Sequence, residues 1–202
     1  MKYALVKLGF SKNEADHLIN HDYFHHSRKS DEELIQRFRD IAEVYDCTIK
    51  EVREMTLKFP HFAGLDHERV VANASKVYGD RGKVISAVMK FPQFAGLDHE
   101  RVVRERIKLG RLVGLDRKEV IEKILANPVL AGYSAKRYIA GLDVGRQLAK
   151  EGLVTDEGML DAYFSFVSKS PYVPGFKRKR ISQAVGREPP LLKAMRKKLT
   201  RL

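Results

Sequence analysis

Cysteine is almost absent from this sequence, and Cys47 is the single one among 202 residues. One cysteine excludes both a disulfide within the chain and a zinc site built from cysteine ligands, which fits a reducing compartment. Long apolar runs are missing too, since none approaches the roughly 18 residues of a membrane-spanning helix. We therefore expect a soluble protein with no membrane partner.

Targeting segments are also missing from the sequence. No signal-peptide core precedes a small-residue cleavage site, and the acidic residues Glu14 and Asp16 do not suit a transit peptide. These absences predict a cytoplasmic location.

The sequence shows none of the common catalytic motifs. It has no glycine-rich phosphate loop, no nucleophile elbow and no HExxH stretch, and its acidic residues fall mostly at predicted helix starts or on exposed faces. This pattern indicates a protein that is not an enzyme and needs no cofactor.

One group of histidines has a spacing that could place a metal on a helical face. His17, His21 and His25 lie four residues apart, with His26, Asp16 and Asp22 beside them. Exposed histidines are common, however, and no partner is visible that would orient such ligands. We expect no metal here.

Positive charge is in excess and is unevenly distributed. The formal net charge is +12, from 38 Lys and Arg against 26 Asp and Glu. Residues 177–202 hold ten of the bases and only one acid, Glu188, so this segment carries +9 of the total. Such an excess favours a polyanionic partner.

A sequence motif recurs along the chain. Residues 59–71 return almost unchanged as residues 91–103, a separation of 32 residues, and weaker copies occupy 127–138 and 170–181. Every copy has Pro, an apolar residue at +2, Gly at +4, an apolar residue at +5 and Arg at +9. A degenerate first copy runs from 20 to 31, with Asp22 in place of the proline.

The motif predicts a helical hairpin. An upstream helix with apolar residues three to four apart ends at the proline, and the glycine at +4 can supply a positive φ for a sharp turn. Asp66, Asp98 and Ser134, at +6, are good N-caps for a second helix. Pairs of a cap and an acid mark further helix starts: Ser11/Glu14, Ser30/Glu33, Thr48/Glu51 and Asp116/Glu119.

A single hairpin cannot cover its own apolar face, so the hairpins should stack. The predicted fold is all-α, with tandem helical hairpins stacked into a curved solenoid. We expect an array of about five units over residues 1–182, the first one degenerate, and a basic C-terminal segment with a short capping helix over residues 183–202.

Arginine recurs at one equivalent position of the motif, in Arg69, Arg101, Arg137 and Arg180. A cation near a helix N-terminus opposes the helix dipole, so helix stability does not explain the choice. The arginines and the free N–H groups of the same turn could bind phosphates. The alternative is an ion pair between neighbouring repeats. The basic balance of the chain favours phosphate.

Two further sets of basic residues are candidates for nucleic-acid contact. Lys58, Lys90 and Lys169 stand two residues before Pro60, Pro92 and Pro171, although stabilisation of the helix end explains these lysines better. Lys177, Arg178, Lys179 and Arg180 form a dense cationic cluster of the kind that contacts nucleic acid, and a solvated tail is its alternative.

Residues 112–130, LVGLDRKEVIEKILANPVL, resemble a repeat of the mitochondrial transcription termination factor family, and residues 8–24 resemble another without its proline. The resemblance implies repeats of two helices and a 3₁₀ turn, stacked into a superhelix with a basic concave face for double-stranded DNA or structured RNA. This chain differs from the family pattern in its short length, in lacking a presequence and in having Phe-Ala-Gly-Leu where leucines usually follow the proline.

These observations together predict a monomeric, non-enzymatic protein that binds duplex DNA or structured RNA by its phosphate backbone. Its role would lie in transcription regulation or termination, or in RNA metabolism. The alternative is a helical-repeat scaffold whose groove binds a peptide or an acidic protein, with the basic tail aiding solubility or docking.

Overall fold

The protein is all-α over the part of the chain that its structure, a computed structural model, describes: residues 1–21, 24, 29–111, 114–134 and 138. The α-helices are α1 (Lys2–Lys7), α2 (Lys12–Ile19), α3 (Asp31–Tyr45), α4 (Ile49–Lys58), α5 (His67–Tyr78), α6 (Arg81–Lys90), α7 (His99–Arg111) and α8 (Arg117–Ala126). Three 3₁₀ helices join them: η1 (Pro60–Gly64), η2 (Pro92–Gly96) and η3 (Pro128–Gly132). None of these residues forms a strand, which confirms the predicted all-α class.

The chain divides into two compact units. The N-terminal unit comprises residues 1–102 and 125–128, and the C-terminal unit comprises residues 103–124 and 129–202. In the N-terminal unit, α3 packs on α4 and α5 packs on α6, and equivalent elements of these two pairs touch, α3 with α5 and η1 with η2. No helix in the described part of the chain has the length and apolar character to cross a membrane.

The helix order predicted from the motif is confirmed at the two best copies. Helix α4 ends before Pro60 and α6 ends before Pro92, and each proline opens a 3₁₀ helix that leads into the next α-helix. At Pro128, the preceding α-helix and the 3₁₀ helix are both present. The copy at 170–181 lies outside the described residues, as do the segment 183–202 and most of the degenerate copy at 20–31.

The prediction of a positive φ at the +4 glycine is wrong. Gly64, Gly96 and Gly132 each end a 3₁₀ helix, and none of them has a positive φ. The chain instead turns through the 3₁₀ helix and the extended residues that follow it, Leu65 and Asp66 in one copy and Leu97 in the other, so no left-handed residue is needed. At Gly96 the glycine provides space, because a Cβ there would lie 3.2 Å from the Phe59 ring.

All four predicted pairs of cap and acid are confirmed. Ser11, Ser30 and Thr48 each accept a hydrogen bond from the backbone N–H of the glutamate three residues later, and that glutamate accepts one from the cap's own N–H. Asp116 and Glu119 make the same exchange at 2.8 Å in both directions. These hydrogen bonds hold the pKa of Glu14, Glu33 and Glu51 below the ordinary value, because they favour the ionised carboxylate.

The cap of the longest of these helices, α3, offers a direct stability test. Replacing Ser30 by Ala removes the acceptor for the Glu33 N–H and should lower the free energy of unfolding by about 1 kcal/mol. Ser86 is exposed within α6 and caps nothing, so Ser86→Ala should change stability by less than about 0.5 kcal/mol. Urea unfolding measures both, and equal effects of the two variants would contradict the assigned cap.

The C-terminal unit depends on one close helix approach. Gly110 in α7 faces α8 so closely that a Cβ would lie 2.5 Å from Cγ2 of Val120. Gly114, with φ +80°, then reverses the chain, and the Leu115 N–H donates to the Gly110 carbonyl. The two glycines therefore serve different purposes, one giving space and the other a left-handed turn.

Candidate nucleic-acid interface

Arg69 and Arg101 occupy the predicted equivalent position, the third residue of α5 and of α7. Both lie in the N-terminal unit and both are exposed. Their backbone N–H groups donate to carboxylates, Arg69 to Asp66 at 3.1 Å and Arg101 to Asp98 at 3.0 Å. These amides are therefore not free for a phosphate, which corrects that part of the prediction.

Neither guanidinium is held in an ion pair between neighbouring repeats. Arg101 makes a long contact of 3.7 Å with Asp98 of its own motif copy, and both side chains are 61% exposed. Arg69 makes no ion pair with any residue of the described ranges. A pair this exposed contributes little. The described residues therefore show no ion pair between neighbouring repeats for these two arginines, which was the alternative interpretation.

The remaining predicted cations divide between the described and undescribed parts of the chain. Lys58 and Lys90 lie exposed in the last turns of α4 and α6, where a cation suits the helix dipole. Lys169 and the neighbouring predictions lie outside the described residues; these are Arg137, Lys177, Arg178, Lys179 and Arg180.

The whole excess of positive charge belongs to the second half of the chain. Residues 1–102 contain 16 bases and 16 acids, so Arg69 and Arg101 lie on a unit without net charge. Residues 103–202 contain 22 bases and 10 acids and carry the full +12. Long-range attraction of a polyanion should therefore come from the C-terminal unit.

The C-terminal unit has a row of exposed cations that the motif analysis missed. Arg104, Lys108 and Arg111 are exposed on α7 with spacings of four and three residues, which places them on one helix face. The nearby acid Glu105 is half-buried, and its carboxylate lies 3.8 Å from Arg106. We call Arg104, Lys108 and Arg111 the α7 cationic row. The helical spacing was the signal that could have identified it.

Two other arginines missed by sequence analysis bind backbone carbonyls at the 3₁₀ helices. Arg37 of α3 donates from Nε to the Ala63 carbonyl at 3.3 Å, and from Nη2 to the Leu65 carbonyl. Arg106 of α7 donates from Nε to Leu130 at 3.3 Å, and from Nη2 to Ala131 at 3.2 Å and to Tyr133. Carbonyls at the end of a helix lack intrahelical donors, so the guanidinium fork satisfies several at once.

His67 and His99 are buried core residues of the N-terminal unit, each beside a tyrosine and a phenylalanine. His67 Nε2 lies 2.8 Å from the Phe62 carbonyl and Nδ1 lies 2.9 Å from Tyr45 Oη, so the neutral ring donates at Nε2 and accepts at Nδ1. Burial lowers the pKa of both histidines to about 4. The tyrosine partners lie 22 and 21 residues earlier in the chain, so the local sequence does not indicate these contacts.

Of the three histidines spaced four residues apart, the structure describes His17 and His21. The described residues contain no group of three or more His, Cys, Asp or Glu placed to hold a metal. His21 packs edge-on against His61, with ring centroids 4.6 Å apart, while His25 and His26 lie outside the described residues.

No protein-family model, curated protein or solved structure matches this chain.

Proposed function

We propose that this chain is a non-enzymatic protein that binds duplex DNA or structured RNA by the phosphate backbone. The observation that carries the proposal is the segregation of charge, with residues 1–102 neutral and residues 103–202 carrying the full +12. Within that half, the α7 cationic row offers exposed guanidinium and ammonium groups at helical spacing. Phosphate contacts of this kind give affinity with little sequence readout.

The proposed site residues contribute unequally. Arg69 and Arg101 are exposed, but each stands beside a capping aspartate, Asp66 or Asp98, which weakens the local attraction for phosphate. We therefore assign the main contact to the C-terminal half, including the cluster at 177–180. Arg69, Arg101, Lys58 and Lys90 would add secondary contacts.

The arrangement of repeats into a curved solenoid belongs to the same proposal. The recurring order of α-helix, 3₁₀ helix and α-helix at Pro60 and Pro92 supports it, since this is the order implied by the resemblance to mitochondrial transcription termination factor repeats. An extended array would give a long surface for a nucleic-acid backbone. A role in transcription regulation or RNA metabolism would follow from such binding.

A salt series tests the proposal. Fluorescence anisotropy of labelled duplex DNA and duplex RNA should show affinity falling by about a thousandfold between roughly 50 and 200 mM salt, the loss expected of about six phosphate contacts. The triple variant Arg104→Ala, Lys108→Ala, Arg111→Ala should reduce the slope of log affinity against log salt by about 2 to 3.

A matched control removes the same charge from the neutral unit. Lys12, Arg39 and Lys50 are exposed, and replacing all three by Ala should leave the slope nearly unchanged. Affinity that is independent of salt, or that falls equally in the two triple variants, would argue against the proposed interface.

The alternative function, a protein-interaction scaffold, is favoured by a cavity in the N-terminal unit lined by residues of α5, η2 and the start of α7. The two functions can be separated by purification. Nucleic acid retained through a low-salt column, with a high ratio of absorbance at 260 to 280 nm, supports nucleic-acid binding, whereas a clean protein under these conditions favours the scaffold.

A further inference from the structure

The first and third 3₁₀ helices share a feature that the second one lacks. In η1 the carbonyls at +3 and +5 from Pro60 accept from Arg37, and in η3 those at +2, +3 and +5 from Pro128 accept from Arg106. Both arginines come from the α-helix two before the 3₁₀ helix, α3 for η1 and α7 for η3. The carbonyls at η1 and those at η3 therefore each bind a guanidinium.

The second 3₁₀ helix has no such donor. The buried residues of α3 (Leu34, Phe38, Ile41, Tyr45) correspond to those of α5 (His67, Val71, Ala74, Tyr78), which aligns Arg37 with Val70. His67 corresponds to His99 in the motif, which aligns Arg106 with Ala74. Val70 and Ala74, the residues at the two equivalent positions in α5, are both apolar. No side chain in the described residues donates to the carbonyl of Ala95 or Leu97.

A cavity of about 400 Å³ lies beside Ala95 and Leu97. It is lined by Val70 of α5, by Ala95 and Leu97 of the second turn, and by His99. Its charged lining comprises three acids, Asp66, Asp98 and Glu100, and two bases, Arg69 and Lys76. The acids outnumber the bases by one, so the charged lining favours a cation.

One residue of the lining, His99, has a buried ring nitrogen without a partner in the described residues. His99 is 7% exposed, and its Nε2 has no hydrogen-bond partner among the described residues, whereas Nε2 of the equivalent His67 contacts the Phe62 carbonyl. His99 Nδ1 lies 3.4 Å from Tyr78 Oη. If Nδ1 carries the proton, Nε2 is left as an acceptor. A buried polar atom without a partner is unusual in a folded protein.

We propose that this cavity is a binding site for an arginine side chain supplied by a partner polypeptide. The guanidinium would donate to the carbonyls of Ala95 and Leu97, as Arg37 does to Ala63 and Leu65. A planar group with five N–H donors matches several carbonyls better than an ammonium does. The site shares only Arg69, a secondary contact, with the proposed nucleic-acid interface, and every lining residue belongs to the neutral N-terminal unit.

The test is an NMR titration of the full chain with N-acetyl-arginine methylamide, followed through the backbone amides. We expect saturable shifts centred on Leu97, Asp98 and His99, and binding about tenfold weaker for the lysine analogue. The variant Arg37→Ala empties the first array and should gain a second set of shifts near Ala63 and Leu65. The exposed Arg39 of the same helix is the control, and Arg39→Ala should gain none.

Two substitutions at the half-buried Val70 fill the cavity. Val70→Arg supplies an internal guanidinium and Val70→Phe supplies bulk without donors, and either should abolish the shifts at Leu97 to His99 in a folded protein. Unchanged shifts in the folded variants, or no saturable shifts in the unmodified chain, would overturn the proposal. It would also be overturned if binding appeared only after the arginines of residues 177–202 were changed to Lys, since the occupant would then be this chain's own segment.

Discussion

Lowering the pH from about 7.5 to about 5 should reduce the free energy of unfolding by about 4 kcal/mol, roughly 2 kcal/mol for each of His67 and His99. Their folded pKa of about 4 lies below the ordinary histidine value of 6.5, because both rings are buried. Between these values the unfolded chain binds protons that the folded chain does not. Stability is therefore complete above about pH 6.5 and is lost as the pH falls towards 4.

Urea unfolding across this pH range measures the effect, and glutamine variants assign it. His67→Gln and His99→Gln should each remove about half of the pH dependence, whatever they do to stability at neutral pH. His17 is exposed, so His17→Gln should leave the dependence intact. The capping glutamates do not interfere, since their lowered pKa values place their loss of stability below about pH 4.5. A pH dependence that survives in the double glutamine variant would contradict this assignment.

Local structure was predictable from the sequence because its determinants are local. The caps at Ser11, Ser30 and Thr48 and the helix ends before Pro60 and Pro92 each depend on residues within a few positions. The +4 glycine was wrongly interpreted for the same reason. A glycine followed by a new helix is typical of a left-handed turn, and only the position of the Phe59 ring shows that Gly96 provides space instead.

The polar contacts of the core were not predictable, since they join residues far apart in the chain. Tyr45 meets His67 across 22 positions, and Arg37 meets Ala63 across 26. In the helical pattern of the sequence, Arg37 has the same position as an exposed cation at the edge of an apolar face. At the candidate interface, Arg69 and Arg101 are exposed, but the motif could not show that the compact unit to which they belong is electrically neutral.

Replacing Arg106 by Ala should lower the stability of the C-terminal unit by about 3 kcal/mol or more. The side chain is 5% exposed, donates to three carbonyls and has its guanidinium carbon 4.4 Å from the centre of the Tyr138 ring. Alanine removes the donors and the packed stem together and leaves a cavity. Because the chain forms two compact units, amide hydrogen exchange within residues 103–124 is the measurement that isolates this effect.

Two further variants separate the contributions of charge and shape. Arg106→Met keeps most of the stem but donates nothing, so it should retain the packing and lose the carbonyl contacts, with a cost of about 2 kcal/mol or more. Arg106→Lys keeps the charge but cannot span the carbonyls of Leu130 and Ala131 at once, so it should rescue the Met variant only in part. The exposed Arg104 on the same helix gives the baseline, and Arg104→Ala should change stability by less than about 0.5 kcal/mol. If the Lys and Met variants matched the Arg104→Ala baseline, the 3₁₀ carbonyls would need no guanidinium, and the unoccupied array at Ala95 and Leu97 would lose its physical reason to bind one.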